Sequence, residues 1–167
     1  MPWPEGGKRL PLWDAIYSGD IVAAQKLLVT KAGAAQVNAP HGLWQQTSVH
    51  VAVQHGHSKL LKHLLFTSAD VNARTINGTT PLHLAVEINR RDIVQDLLLA
   101  GANPLLCNFS GQTPLQSAVS LGLKPIAMLL RQGVDSQQAR ASLEAAAHQT
   151  AKRRQSVVAG RPAPPNN

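Results

Sequence analysis

Residues 80–103 read TPLHLAVEINRRDIVQDLLLAGAN, and the rest of the chain is organised around that stretch. Thr80 is a strong N-cap, and Pro81 stands at the first helical position, where its missing N–H costs nothing. Leu82, Ala85 and Val86 then line one face. Asn89 ends this short helix. A second helix starts near Asp92 and turns Ile93, Leu97 and Leu98 inward. Gly101 supplies the left-handed residue that stops it. The stretch is therefore a pair of short helices, each apolar on one side.

The same piece recurs. Thr47 opens TSVHVAVQHGHSKLLKHLLFTSADVNA, and Thr113 opens TPLQSAVSLGLKPIAMLLRQGVD, so both steps from Thr47 to Thr80 to Thr113 are 33 residues. Ala52, Ala85 and Ala118 keep one offset, and Val53, Val86 and Val119 another. Gly56 and Gly122 stand where Asn89 stands. An earlier copy, LPLWDAIYSGDIVAAQKLLVTKAG, places Ala15 37 residues before Ala52; the long connection AAQVNAPHGLWQQ absorbs the difference. A fixed period of this length means stacked supersecondary units, none able to bury its apolar face alone. Small residues at Ala15, Ala52, Ala85 and Ala118 let neighbouring helices approach. Leu64, Leu65, Leu97, Leu98, Leu129 and Leu130 fill the space between layers.

TPLH at 80–83, GHSKLLKHLL at 56–65, SADVNA at 68–73 and GAN at 101–103 together resemble the ankyrin repeat family. The resemblance runs from about Leu10 to Asp135. It implies an all-α solenoid of about four stacked helix-turn-helix repeats, at about 10–39, 40–74, 75–107 and 108–135, with hairpins between them. The first copy has LPLW in place of TPLH. The fourth has Gln116 for the histidine and is one residue short before Gly133. Both departures suit end repeats, which face water on one flank.

Beyond Asp135, the segment SQQARASLEAAAHQTAKRRQ reads as a capping helix or half-repeat over 136–155. Asp135 or Ser136 is its N-cap, and Leu143, Ala146 and Ala147 repeat the offsets of Leu82, Ala85 and Val86. Lys152, Arg153 and Arg154 suit its C-terminal end. Residues 1–9 and 156–167 lack a packing pattern and are expected to be flexible.

The chain has 167 residues, 44% apolar and 4% aromatic, so its core must be aliphatic. The net charge is +7. Six of the 16 basic residues fall after Leu130, against two of the nine acidic ones, so the excess is enriched toward the end. Cys107 is the lone cysteine, which rules out an intramolecular disulfide. The opening MPWPEGGKRLPLWDAIYSGD is interrupted by Glu5, Asp14 and Asp20 and has no apolar signal core. The longest aliphatic runs are far below a membrane span. These features point to the cytoplasm or the nucleus.

For chemistry the sequence offers little. It has no phosphate-binding Gly-rich loop, no paired carboxylates in a shared context and no His-Glu-x-x-His. His55, His57 and His63 have no cysteine partner and no ligand-spaced second cluster. Cys107 reads as a turn residue, not a nucleophile. No catalytic residue, cofactor or metal is expected. His50 and His83, in the TPLH position, are expected to bond backbone near the neighbouring turn and hold repeats in register.

The resemblance implies docking on hairpin tips and first helices along a concave face. Carried over by position, the tips offer Trp44, Gln46, Ile76, Asn77, Thr79, Phe109 and Gln112. The ends of the first helices offer Tyr17, His55, Glu87, Ile88 and Leu121. Trp44, Ile76, Phe109 and Ile88 are the expected anchors. Two modification sites are also legible. Ser156, in RRQS, fits basophilic kinases, and LLFTSADVN resembles the sequence favoured by the asparagine hydroxylase of ankyrin domains, at Asn72; Asp70 and Asn72 also shape the turn.

The expected function is a monomeric, non-enzymatic adaptor, scaffold or inhibitor that binds another protein. Alternatives are a transcription-factor inhibitor, for which the chain is basic where acidity is usual, and weak nucleic-acid binding by Lys152, Arg153, Arg154 and Arg161. A ubiquitin-ligase receptor lacks its Leu- and Pro-rich box here.

Overall fold

The computed structural model describes residues 11–159. The expected flexible segment 1–9, and residues 160–167 of the tail expected at 156–167, Arg161 among them, lie outside the described residues.

Capping chemistry sets the repeat. Thr47, Thr80 and Thr113 have extended backbone and start the helices α4 (Ser48–Gln54), α6 (Pro81–Glu87) and α8 (Pro114–Ser120). With α1 (Pro11–Ser18) these are the inner helices. Each ends where the chain turns left-handed, at Gly19, Gly56, Asn89 and Gly122, with φ between +55° and +73°. Asn89 holds the position without glycine, as the most tolerant of the alternatives. The chain then returns in the outer helices α2 (Ile21–Leu28), α5 (Ser58–Leu65), α7 (Arg91–Leu99) and α9 (Lys124–Ala159).

Neighbouring inner helices pack on one another, and each outer helix lies against its own inner helix and the next outer one. Between layers sit Leu60, Leu61, Leu64, Leu82, Ile93, Leu97, Ile126 and Leu130, all essentially sealed from water. Ala52, Ala85 and Ala118 are fully buried at the close approaches. Leu98 is only half-buried, so Leu97 carries more of the seam. The described residues are about 60% helical and contain no sheet.

Two elements differ from the sequence expectation. The connection after α2 is not simply a loop: Thr30 accepts a hydrogen bond from the Gly33 N–H at 3.0 Å and starts a short helix, α3 (Lys31–Gln36). A Cβ at Gly33 would overlap the Leu27 carbonyl, which fixes glycine there. This extra helix accounts for three of the four additional residues in the first step, and the fourth lies in the hairpin tip that follows.

The second difference is at the C-terminal end. The expected break near Gly133, with a new helix capped by Asp135 or Ser136, does not occur. α9 runs unbroken for 36 residues, through the whole 136–155 segment and into the expected tail as far as Ala159. The cause is local. At Gly101 the backbone has φ +89° and Pro104 follows, so α7 stops. Gly133 has no positive φ, and no Pro or Gly follows until Gly160. Ser136 does not cap; its hydroxyl donates back to the Gln132 carbonyl at 2.8 Å.

The absent Cβ at Gly133 has a packing use instead, since a methyl there would stand 2.9 Å from Leu98 Cδ2. From Asp135 to Ala145 the described side chains are mostly exposed; the expected inward set Leu143, Ala146 and Ala147 lies outside the residues whose side chains are described. Val119 is 60% exposed, whereas its counterparts Val53 and Val86 are fully buried.

Candidate functional site

Three hairpin-like connections leave the stack on one side. In the tip that spans His41 to Gln46, the two residues exchange backbone hydrogen bonds at 2.8 and 2.9 Å. In the next, the Thr75 N–H donates to the Thr79 carbonyl at 3.0 Å, and Thr75 Oγ1 accepts from the Asn77 and Thr79 N–H groups. In the third, the Asn108 N–H donates to Gln112 at 2.9 Å, and Asn108 Oδ1 does the work of the Thr75 hydroxyl. The first tip therefore has one residue more than the others.

The tips are joined to each other by backbone. The Ile76 N–H donates to the Trp44 carbonyl at 3.1 Å, and the Phe109 N–H donates to the Asn77 carbonyl at 2.9 Å. These bonds recur with the repeat period, and they correct the expected row. Trp44 matches Asn77, not Ile76. The residue matching Ile76 and Phe109 is Leu43, which lies 33 residues before Ile76 and four before Thr47; the expected row, with Trp44, was one residue out of step with the period. Leu43 is 79% exposed, Ile76 41% and Phe109 73%; Trp44, beside the row, is exposed too.

Phe109 is exposed yet seated. The Arg74 guanidinium lies 5.3 Å from its ring centroid and donates to the Cys107 carbonyl at 2.6 Å. Gly78, at φ +71°, opens the space below: a Cβ there would be 2.7 Å from Phe109 Cδ1. Arg74 is a second residue that sequence reading missed, because an isolated arginine in a turn carries no pattern.

Histidines fix the spacing between tip and stack. His50 Nδ1 accepts the Thr47 N–H at 3.2 Å, so the ring hydrogen sits on Nε2, which donates to the Thr79 carbonyl at 3.1 Å. His83 repeats this between Thr80 at 3.2 Å and Gln112 at 2.9 Å. The backbones of Thr79 and Gln112 thus serve register. Both rings are held neutral: burial lowers their pKa values, outweighing the accepting carbonyls of Thr79 and Gln112, which raise them. Gln116 caps the fourth repeat without a ring, its Oε1 accepting the Thr113 N–H at 2.8 Å.

Along the inner helices of the first two repeats, from α1 to the C-cap of α4, aromatic rings form a strip. Trp13 stacks on Tyr17 at 5.4 Å, the His41 ring tilts against Trp13 at 4.9 Å, and the His55 ring meets Tyr17 edge-on at 4.6 Å. Burial and the neighbouring His57 lower the His55 pKa. Gln46 is tied to the inner helix by its amide, which donates to Gln54 Oε1 at 2.9 Å. Further along, Glu87 and Leu121 are exposed, but Ile88 is half-buried against the core and is a poorer anchor than expected. Partial burial raises the Glu87 pKa.

The structure does not gather His55, His57 and His63 into one cluster. His55 and His57 stack at 5.8 Å, while His63 Nε2 faces the Gln25 amide at 2.7 Å. Among the described residues no group of three or more His, Cys, Asp or Glu side chains is placed to hold a metal, and no helix is long and apolar enough to cross a membrane.

Asn72 is a bridge between layers: its Oδ1 accepts the Asn103 N–H at 2.7 Å and its amide approaches the Gly101 carbonyl at 3.4 Å. Asn38 makes the same bridge one layer earlier, to Ser68 and Asp70. Ser156 lies in the last turn of α9.

The family model described as ankyrin repeats (three copies) matches residues 12–108 and again residues 49–140. The chain belongs to the ankyrin-repeat family. Ankyrin repeats are generally protein–protein interaction modules and generally non-enzymatic. No curated protein matches the chain in sequence. In ankyrin terms, the row Leu43–Ile76–Phe109 is carried on the hairpin tips, and the Trp13–Tyr17–His55 strip lies on the inner helices beside it.

Proposed function

We propose that this ankyrin-repeat protein is a non-enzymatic adaptor, scaffold or inhibitor that grips a folded or extended protein segment between its tip row and its inner helices. The observation that carries the reading is the run of exposed apolar side chains at Leu43, Ile76 and Phe109, set on tips already joined by backbone hydrogen bonds. Exposed apolar side chains in a continuous run mark protein contacts. Aromatic anchors held in place before binding lose little entropy on association. Trp44, Asn77, Tyr17, His55, Glu87 and Leu121 complete the surface. Its only charges on the inner helices are Asp14 and Glu87, so the complementary segment is mainly apolar with at most isolated cations.

Affinity capture with the wild-type chain, followed by mass spectrometry, tests the proposal against the variant Leu43→Ser/Ile76→Ser/Phe109→Ser. All three side chains are exposed, so helical content should be unchanged. The expected result is one captured partner whose binding weakens by about tenfold or more in the variant. Equal capture by the folded variant would overturn the reading.

A further inference from the structure

Charge is divided between the two sides of the stack. The inner helices carry no lysine or arginine. The outer helices, as far as Gly133, carry Lys26, Lys59, Lys62, Arg91, Lys124 and Arg131 against Asp92 and Asp96. The two carboxylates are already engaged: Arg90 holds Asp92 at 2.8 Å, and Lys62 holds Asp96 at 3.5 Å. Among the described residues Lys26, Lys59 and Arg91 have no ion-pair partner, and all three are exposed.

The same side carries a second apolar row. Val29, Phe66 and Leu99 stand at the C-terminal ends of three successive outer helices, 90%, 91% and 80% exposed. They are among the most exposed large apolar side chains described, and none belongs to the tip row. Helical spacing sets a cation on the same stripe as each: Lys26 lies three residues before Val29, Lys59 seven before Phe66, and Arg91 eight before Leu99. Leu99 is flanked by two half-open clefts. One, of about 340 Å³, lies between Phe66 and Leu99 over Leu65 and Ala100. The other, of about 280 Å³, lies between Leu99 and α9, lined by Leu98, Leu129, Gln132, Gly133 and Ser136.

We infer that this outer face is a second docking site, and that its occupant is an acidic amphipathic helix of a partner protein. Clefts between ridges take side chains, whereas a lipid surface needs only protrusions. Packed helices lie about 8–10 Å apart, close to the roughly 10.5 Å between residues seven apart on a helix. A helix laid across α2, α5 and α7 therefore sets every second turn over one layer. Its apolar edge meets Val29, Phe66 and Leu99, and its carboxylates meet Lys26, Lys59 and Arg91. The site is independent of the tip row, so it stands or falls separately.

The test is a titration of the full chain, isotope-labelled for amide NMR, with a synthetic helical peptide of leucines on one edge and glutamates on the other. Controls are the same peptide with lysine for glutamate, polyglutamate, vesicles of mixed phosphatidylcholine and phosphatidylserine, and duplex DNA. The expected result is saturable binding of the Leu/Glu peptide alone, with shifts at Lys62, Phe66, Leu99 and Ala100. Affinity should drop about tenfold or more in Phe66→Ser/Leu99→Ser and fall as sharply in Lys59→Glu/Arg91→Glu. Ile76→Ser/Phe109→Ser should bind as wild type. Failure of the Leu/Glu peptide to bind, equal binding by Phe66→Ser/Leu99→Ser, equal binding of polyglutamate, or preference for vesicles or DNA would each overturn the inference.

Discussion

At the residue scale, His50 and His83 connect a helix start, a hairpin and the next repeat through one ring each. Their link to the neighbouring turn was legible from the resemblance that TPLH carries, whereas the bond each accepts from the threonine N–H three residues back was not anticipated. Neutrality is required, since Nδ1 must accept. Both rings bind protons more weakly when folded than at the ordinary value of 6.5. The unfolded chain then holds more protons over that interval, so stability is complete above about pH 6.5 and falls as pH drops below it.

Thermal melts between pH 7.5 and 5.5 should show this decline, and His50→Gln/His83→Gln should flatten it. Glutamine already caps at Gln116, so the variant keeps the helix start but loses the links to Thr79 and Gln112, at about 1–2 kcal/mol per site near pH 7.5. An unflattened slope would place the sensitivity elsewhere. Gly78→Ala is a second residue-scale prediction. The left-handed φ and the contact with Phe109 should together cost about 1–3 kcal/mol in chemical denaturation.

At the element scale, helix starts and the leucine seam were readable because caps and 3.6-residue periodicity are local signals. What was unreadable is instructive. The fate of Gly133 depends on whether the next residues permit a left-handed turn and on Leu98 lying opposite, and the second fact is tertiary. The register of the first tip, by contrast, was legible: Leu43, Ile76 and Phe109 each stand four residues before Thr47, Thr80 and Thr113, and choosing the larger Trp44 put the row one residue out of step. Two substitutions check the seam by urea unfolding. Leu97→Ala should cost about 2–5 kcal/mol, and the half-buried Leu98→Ala clearly less. A chain ending at Gln138 should melt within about 3 °C of the full chain while losing helical ellipticity, because the side chains described beyond that point are exposed.

At the scale of the molecule, layers are stacked so that the outer helices collect the cations and the inner helices and tips collect aromatic and neutral groups. Composition alone hid this division, since net charge says nothing about which helix of each pair carries it. The same stacking joins neighbouring tips through Ile76–Trp44 and Phe109–Asn77, turning separate turns into one surface. That joining is the claim on which the docking row rests. Site-resolved amide hydrogen exchange tests it most directly. The account predicts that the Ile76 and Phe109 amides exchange far more slowly than the neighbouring tip amide of Trp44, which donates no hydrogen bond among the described residues, despite the exposure of their side chains. Exchange of both at the rate of an unstructured peptide, in a chain whose helices remain protected, would contradict it.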